Sequence, residues 1–215
     1  MKGLALGSCL CLASGLATFA QTPATGNPLG HHQEFGGIRT FLRAPYIPDL
    51  ATVDADIVVI GVPFDEGTSG PSGTRFGPRD IREASLVYAW ARPMGFFYID
   101  GEKRVLSGAQ WVDVGDINVQ PMHPQVTFGR LTEAVRAIHQ KGALPVVLGG
   151  DHSISFPAIR AFQLPSLTVI HFDAHLDSYG EPPRRDAIAT AVTDHGGWVS
   201  AVAQIPGIRI VQIGM

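Results

Sequence analysis

The stretch Leu167–Asp177, LTVIHFDAHLD, constrains the fold more than any other part of the chain. Leu167–Phe172 is a short apolar run with β-branched Thr168, Val169 and Ile170, the pattern of a strand buried in a parallel sheet. It ends abruptly in polar residues. If the backbone stays extended past Phe172, side chains repeat every second residue on one face, and Asp173, His175 and Asp177 project together. Crowded without a partner, these groups would repel and be costly to desolvate, and a divalent cation relieves both effects. The competing reading is a polar loop whose acids cap the next helix. Asp151-His152, at the end of another apolar run, adds an imidazole and favours the metal. Carboxylates with some imidazole suit manganese or magnesium better than thiolate-preferring metals.

A chain of 215 residues holds one sizeable α/β core or two small domains. Its net charge of -3, with no run of like charge, gives no electrostatic case for nucleic acid or an anionic membrane. Small neutral or cationic substrates remain open. Residues 1–20 carry one cation, Lys2, then an apolar and small-residue stretch to Phe19 and small residues before Gln21. This is the shape of a secretory signal peptide cleaved after Ala20, with a short anchor helix as the alternative. The expectation is therefore a secreted or periplasmic protein, free of the membrane after cleavage. Cys9 and Cys11, the only cysteines, lie in this segment, so the mature chain builds any metal site from N and O donors. Residues 21–36 are rich in Pro, Gly, Thr and His without periodicity and read as a flexible arm, in which His31-His32 are given no role. Residues 37–215 form the ordered domain.

Asp56–Ile60 is a compact apolar strand running into GVPFDEGTSGPSGTRFGPRDIREAS, Gly61–Ser85. Glycines and prolines directly after a strand fix the backbone at its carboxyl end, where ligands bind in α/β sheets. The spacing contains neither GxxxxGK(S/T) nor GxGxxG, which excludes a nucleotide loop. Arg75 is placed to tie this loop down, and Pro78 opens a helix continuing through Asp80–Ser85. Phe96–Ile99 and Trp111–Val114 are short strands, and Asp113 and Asp116 read as turn formers beside Gly115. A helix is predicted over Leu131–Lys141, with Leu131, Val135 and Ile138 on one face and Gly142 as its C-cap. Leu144–Leu148 is the next strand, Ser153–Phe162 a helix kinked by Pro157, and Ile208–Ile213 a further buried strand. This alternation predicts an α/β three-layer sandwich with a mainly parallel sheet covered on both faces.

GVPFDEGTSGPSGTRFGPRDIR, GGDHSISFP and HFDAHLDSY, followed by His195-Gly196, together resemble the ureohydrolase superfamily of arginase, agmatinase and relatives acting on other guanidino compounds. The resemblance covers about Gly37–Met215, and Ser178-Tyr179 after Asp177 resembles the agmatinase side, because arginases place an Asn two residues on. It implies an arginase/deacetylase-like fold, homo-oligomers, and a cluster of two Mn(2+) ions at the carboxyl ends of parallel strands. His152 would hold one ion, Asp173 bridge both, His175 hold the other and Asp177 return to the first. A metal-bridging hydroxide would attack the guanidinium carbon, since a divalent metal lowers the pKa of a bound water, to roughly 7 in the case of zinc. Collapse of the tetrahedral intermediate would give urea and an amine. His195 is then the candidate for delivering a proton to the leaving nitrogen, with Asp177 beside it as the second catalytic residue, and a loop histidine is the bland alternative for His195.

The acids Glu181, Asp186 and Asp194 would suit an amine tail such as agmatine's, Arg184-Arg185 a carboxylate tail, and a solvated mixed-charge loop neither. The family's last two ligands come from an SxDxDxxDP-like motif that this sequence lacks. Two expectations follow: the N-terminal part of a guanidino hydrolase with an incomplete sheet, or a non-catalytic remnant or interaction protein.

Overall fold

The computed structural model describes residues 36–97 and 101–215. The expected signal peptide, both cysteines, nearly all of the arm and the end of the Phe96–Ile99 strand lie outside them. In chain order the elements are β1 (Ile57–Val62), α1 (Gly77–Ser85), β2 (Phe96–Phe97), β3 (Arg104–Val105), β4 (Trp111–Asp116), α2 (Pro124–Gln140), β5 (Leu144–Gly149), α3 (Ser155–Ile159), β6 (Leu167–Phe172), α4 (Trp198–Val202) and β7 (Ile208–Ile213). β1 lies between β4 and β5, and both pair with it in parallel. β6 and β7 form a separate parallel pair, and β2 and β3 a short antiparallel ribbon.

Every residue of β1 is buried, as a continuous β-branched run requires in a sheet clothed on both faces. Val58, Ile60 and Val62 point into a core filled by Phe128, Leu131, Val135 and Ile138 of α2 and by Trp198 and Val202 of α4. Ile57 and Val59 point the other way, against Leu42, Ala44, Trp111 and Leu148. α2 starts at Pro124 rather than at Leu131, because proline is pre-organised for the first helical turn and Thr127 and Phe128 continue the buried stripe. Gly142, at φ 81°, closes it as expected. The helix expected over Ser153–Phe162 is instead a 3-10 turn, His152–Ile154, followed by the short α3. Pro157 offers no N–H to a continuous ladder, and the Asp151 side chain caps the turn at the Ser153 N–H.

β6 and β7 have the expected bounds but not the expected burial. Residues of each strand alternate between half-buried and exposed, with Phe172 74% exposed, His171 alone being fully buried. Val169, Ile208 and Ile210 reach the common core, while no cluster of buried residues collects around Ile170, Phe172, Val211 and Ile213. The apolar run predicts cover on both sides, and among the described residues only one side is covered.

Asp113 and Asp116 are also more than turn formers. Arg82 of α1 makes two parallel bonds to Asp113, Nε to Oδ2 at 2.8 Å and Nη2 to Oδ1 at 2.9 Å, and a third from Nη1 to Asp116 Oδ1 at 2.6 Å. Asp113 is buried and also accepts the N–H groups of Phe41 and Gly115, so this ion pair fixes α1 at the carboxyl end of β4.

Candidate metal centre

The carboxyl ends of β1, β5 and β6 deliver the polar residues. A Cβ at Gly150 would come within 2.1 Å of the Phe64 carbonyl oxygen, so β1 and β5 approach too closely there for any side chain. The chain leaves β5 through Asp151 and presents His152. Its Nδ1 lies 2.7 Å from Asp177 Oδ2 and 3.2 Å from Asp173 Oδ2. His171 Nε2 approaches the same Asp173 oxygen at 3.3 Å. Donor atoms of His152, His171, Asp173 and Asp177 all lie within 4.8 Å of one another. Two carboxylates and two imidazoles at that spacing fit a divalent cation, and the carboxylate oxygens suit a hard one such as manganese.

The convergence does not come from the pleat of an extended chain. β6 stops at Phe172, and Asp177 takes a left-handed conformation, φ 49°, that returns its carboxylate towards Asp173. The residue between them, His175, turns outward, its side chain 75% exposed. It stays in contact with Asp173: its N–H donates to Oδ1 at 2.9 Å and its Nδ1 lies 3.2 Å from the same oxygen. Asp173 thus offers one oxygen to His152 and His171 and the other to His175. The N–H from His175 is the main reason that the Asp173 carboxyl sits below the usual carboxylate range; burial opposes the shift, and His171 and His152 reinforce it.

Three residues not read from the sequence complete the group. His171 falls one alternation before Asp173 and was readable from that period. Gln212 of β7 donates to the Leu176 carbonyl at 2.7 Å, with the same nitrogen 3.1 Å from His171 Nδ1. Trp198 donates its indole N–H to Asp177 Oδ2 at 2.8 Å, and its ring packs 4.9 Å from that of His152 and 4.8 Å from that of His171. A tryptophan two residues after a histidine-glycine pair gave no such signal.

Arg75 ties down the glycine-rich loop as expected, its guanidinium held on the buried Asp65, whose Oδ2 also accepts the Gly73 N–H at 2.8 Å. The same loop holds His195: the Gly67 carbonyl accepts the His195 N–H at 3.1 Å and Nδ1–H at 2.7 Å. His195 Nε2 lies 3.3 Å from Ser69 Oγ. Ser69, His195, Asp177, His175, Tyr179 and Asp194 line one cavity of about 350 Å³. Tyr179 and Asp194 also border a second cavity of about 230 Å³, which Glu181 lines and neither Arg184 nor Arg185 reaches. Arg184 is bonded to Asp186 at 2.8 Å and 3.1 Å. Arg160 holds the far part of this loop through the carbonyls of Ile188 and Ala191, and burial, with Arg136 nearby, pushes its guanidinium pKa down to about 10.

Residues 55–215 match the arginase family. The chain belongs to the arginase family. This arginase-family chain is 39% identical over 162 residues to the guanidinobutyrase of Pseudomonas aeruginosa, a match spanning 70% of the chain and 47% of that protein. It is 38% identical over 135 residues to the agmatinase of Bacillus subtilis, spanning 60% of the chain and 44% of the relative. The chain therefore spans about half the length of the curated relatives it matches. Among solved structures, a hypothetical agmatinase from Burkholderia thailandensis superposes with a TM-score of 0.69 at 30% identity, covering 85% of this chain and 55% of that one. Proclavaminate amidino hydrolase from Streptomyces clavuligerus gives 0.69 at 30% identity, with 86% and 58% covered. These likenesses identify the α/β architecture as the arginase fold.

Proposed function

We propose that this protein hydrolyses the guanidinium group of a small amine-tailed compound, agmatine or similar, to urea and an amine, using two manganese ions. The observation that carries this reading is the group of N and O donors at the strand ends, opening onto the cavity that also presents His195. His152, Asp173, His175 and Asp177 would hold the metal, Asp173 being the carboxylate whose two oxygens face different imidazoles. When bound, manganese supplies the Lewis acidity that lets water attack a resonance-stabilised cation near neutral pH. Trp198 orients Asp177 by engaging one of its oxygens.

His195 handles the proton. A carbonyl oxygen only accepts, so Gly67 keeps the proton on Nδ1 and leaves Nε2 as the nitrogen that gains and gives one. As the C–N bond breaks, Nε2–H passes its proton to the departing amine nitrogen. The second cavity supports an amine tail: Glu181 and Asp194 line it, while Arg184 is engaged with Asp186. The test is urea release by the manganese-loaded protein on agmatine and on 4-guanidinobutyrate. Higher kcat/KM on agmatine is expected. Preference for the acid would overturn the tail assignment, and no urea from any guanidino compound would overturn the activity.

A further inference from the structure

We infer that Asp151 is a positioning residue for the proton donor, acting on His195 through the backbone of Gly67. Asp151 immediately precedes His152, yet it stands outside the four-donor group and turns its carboxylate the other way. It is 4% exposed, and both oxygens are engaged. Oδ1 accepts the Ser153 N–H at 2.9 Å and the Ser153 hydroxyl, which fixes the carboxylate plane. Oδ2 accepts the Gly67 N–H at 2.9 Å. Gly67 in turn accepts both bonds from His195 on its carbonyl. The path runs from the end of β5, across the loop after β1, to the segment before α4.

Two further features give this path its force. Other side chains anchor the loop around Gly67 without touching its backbone: Asp65 holds Gly73 and Arg75 and accepts Thr68 Oγ1 on its carbonyl, the Glu66 carboxylate accepts the Met122 N–H, and Ser69 Oγ lies against His195 Nε2. Among the described residues, the Asp151 carboxylate is the side chain that bonds the Gly67 N–H directly. The fit is also tight: a Cβ at Gly67 would stand 2.9 Å from Ser153 Oγ and 3.0 Å from each Asp151 oxygen. A buried, doubly engaged carboxylate pressed against a glycine backbone holds the carbonyl that fixes the imidazole tautomer, which is how a remote group keeps a proton donor aimed.

This rests on the proton-donor role proposed for His195, and the experiment separates the two. Asp151→Asn loses one of the two acceptor oxygens, so it cannot hold both Ser153 and Gly67 as before. In the manganese-loaded protein we expect Asp151→Asn to keep its metal content and KM and to lower kcat by about 10–100-fold, the usual cost of losing a supporting partner behind a site residue. In a His195→Ala background the same substitution should change kcat less than about two-fold, because residues acting as a unit are non-additive. Gly67→Ala, which leaves Asp151 intact and crowds it, should show the same pattern and serves if Asp151→Asn fails to fold. Equal kcat losses in both backgrounds, or loss of manganese, would overturn the inference. Imidazole ¹⁵N shifts give a readout independent of turnover: His195 should be a fixed Nδ1–H tautomer in the parent and a mixture in Asp151→Asn or Gly67→Ala. If His195→Ala leaves kcat unchanged, the proton-donor role falls, and an unaltered ¹⁵N spectrum in both variants would sink the coupling as well.

Discussion

The two parallel sheets are built from similar apolar runs yet end in different states. Around β1 both faces are clothed, by α2 and α4 on one side and by the Leu42–Trp111 cluster on the other. β6 and β7 share that core through one face and present Ile170, Phe172, Val211 and Ile213 on the other. β5 pairs only with β1 and β6 only with β7, so each keeps an unpaired edge among the described residues. The proposed metal donors come from both sides of this division: His152 follows β5, whereas Asp173, His175 and Asp177 follow β6. A site assembled across two sheets depends on each, but damage to each has a different character.

The largest effects test that shared dependence. His152→Ala and Asp177→Ala should each reduce manganese content and urea release to background; a variant that keeps full metal occupancy would show that one sheet suffices. Next comes the clothed sheet. Arg82→Leu leaves Asp113 buried without its partner, and denaturant unfolding should show a loss of about 3–5 kcal/mol. A loss below about 1 kcal/mol would mean that the pair is dispensable. Trp198→Phe keeps the ring but removes the N–H to Asp177, and should weaken manganese binding by about 10–100-fold with little loss of fold; calorimetric titration checks it.

A smaller effect is expected with pH. Asp65 is held below the usual carboxylate range, chiefly by the Arg75 guanidinium and against the opposing pull of burial, with the N–H groups of Gly73 and Arg75 assisting. Its contribution is complete above the unfolded value of about 3.9 and is lost as pH falls through the lower folded value. Denaturation between neutral and acid pH should therefore show an acid-side loss that Asp65→Asn flattens. The smallest belongs to the open sheet: Phe172→Lys should shift stability by no more than about 0.5 kcal/mol while reducing light scattering on concentration. A clear destabilisation would show that this face is covered in solution.

The strands were legible because their apolar runs are bounded by glycine, proline and acids, and β6 and β7 start and stop where the composition does. Their half-exposure was not, since an apolar run does not reveal how many layers meet it. The period of two held only as far as the strand. It puts His171 with Asp173, but past Phe172 the chain bends at Ala174-His175 and His175 turns outward, while the left-handed Asp177 brings its own carboxylate back; neither break leaves a mark on the pattern. Trp198, Gln212 and Arg82 act on partners tens of residues away, where local spacing carries no information.

The hold of Arg160 on Ile188 and Ala191 divides the loop after Tyr179 into a fastened half, which leads into His195, and an outer half around Glu181 and Arg184 that it leaves alone. The cavity proposed for the substrate tail is nonetheless walled by both halves, Glu181 from the outer one and Asp194 from the fastened one. On the proposed function, grafting a different sequence at residues 181–186 should retune which guanidino compound is accepted, because Glu181 lines that cavity, while urea release itself persists.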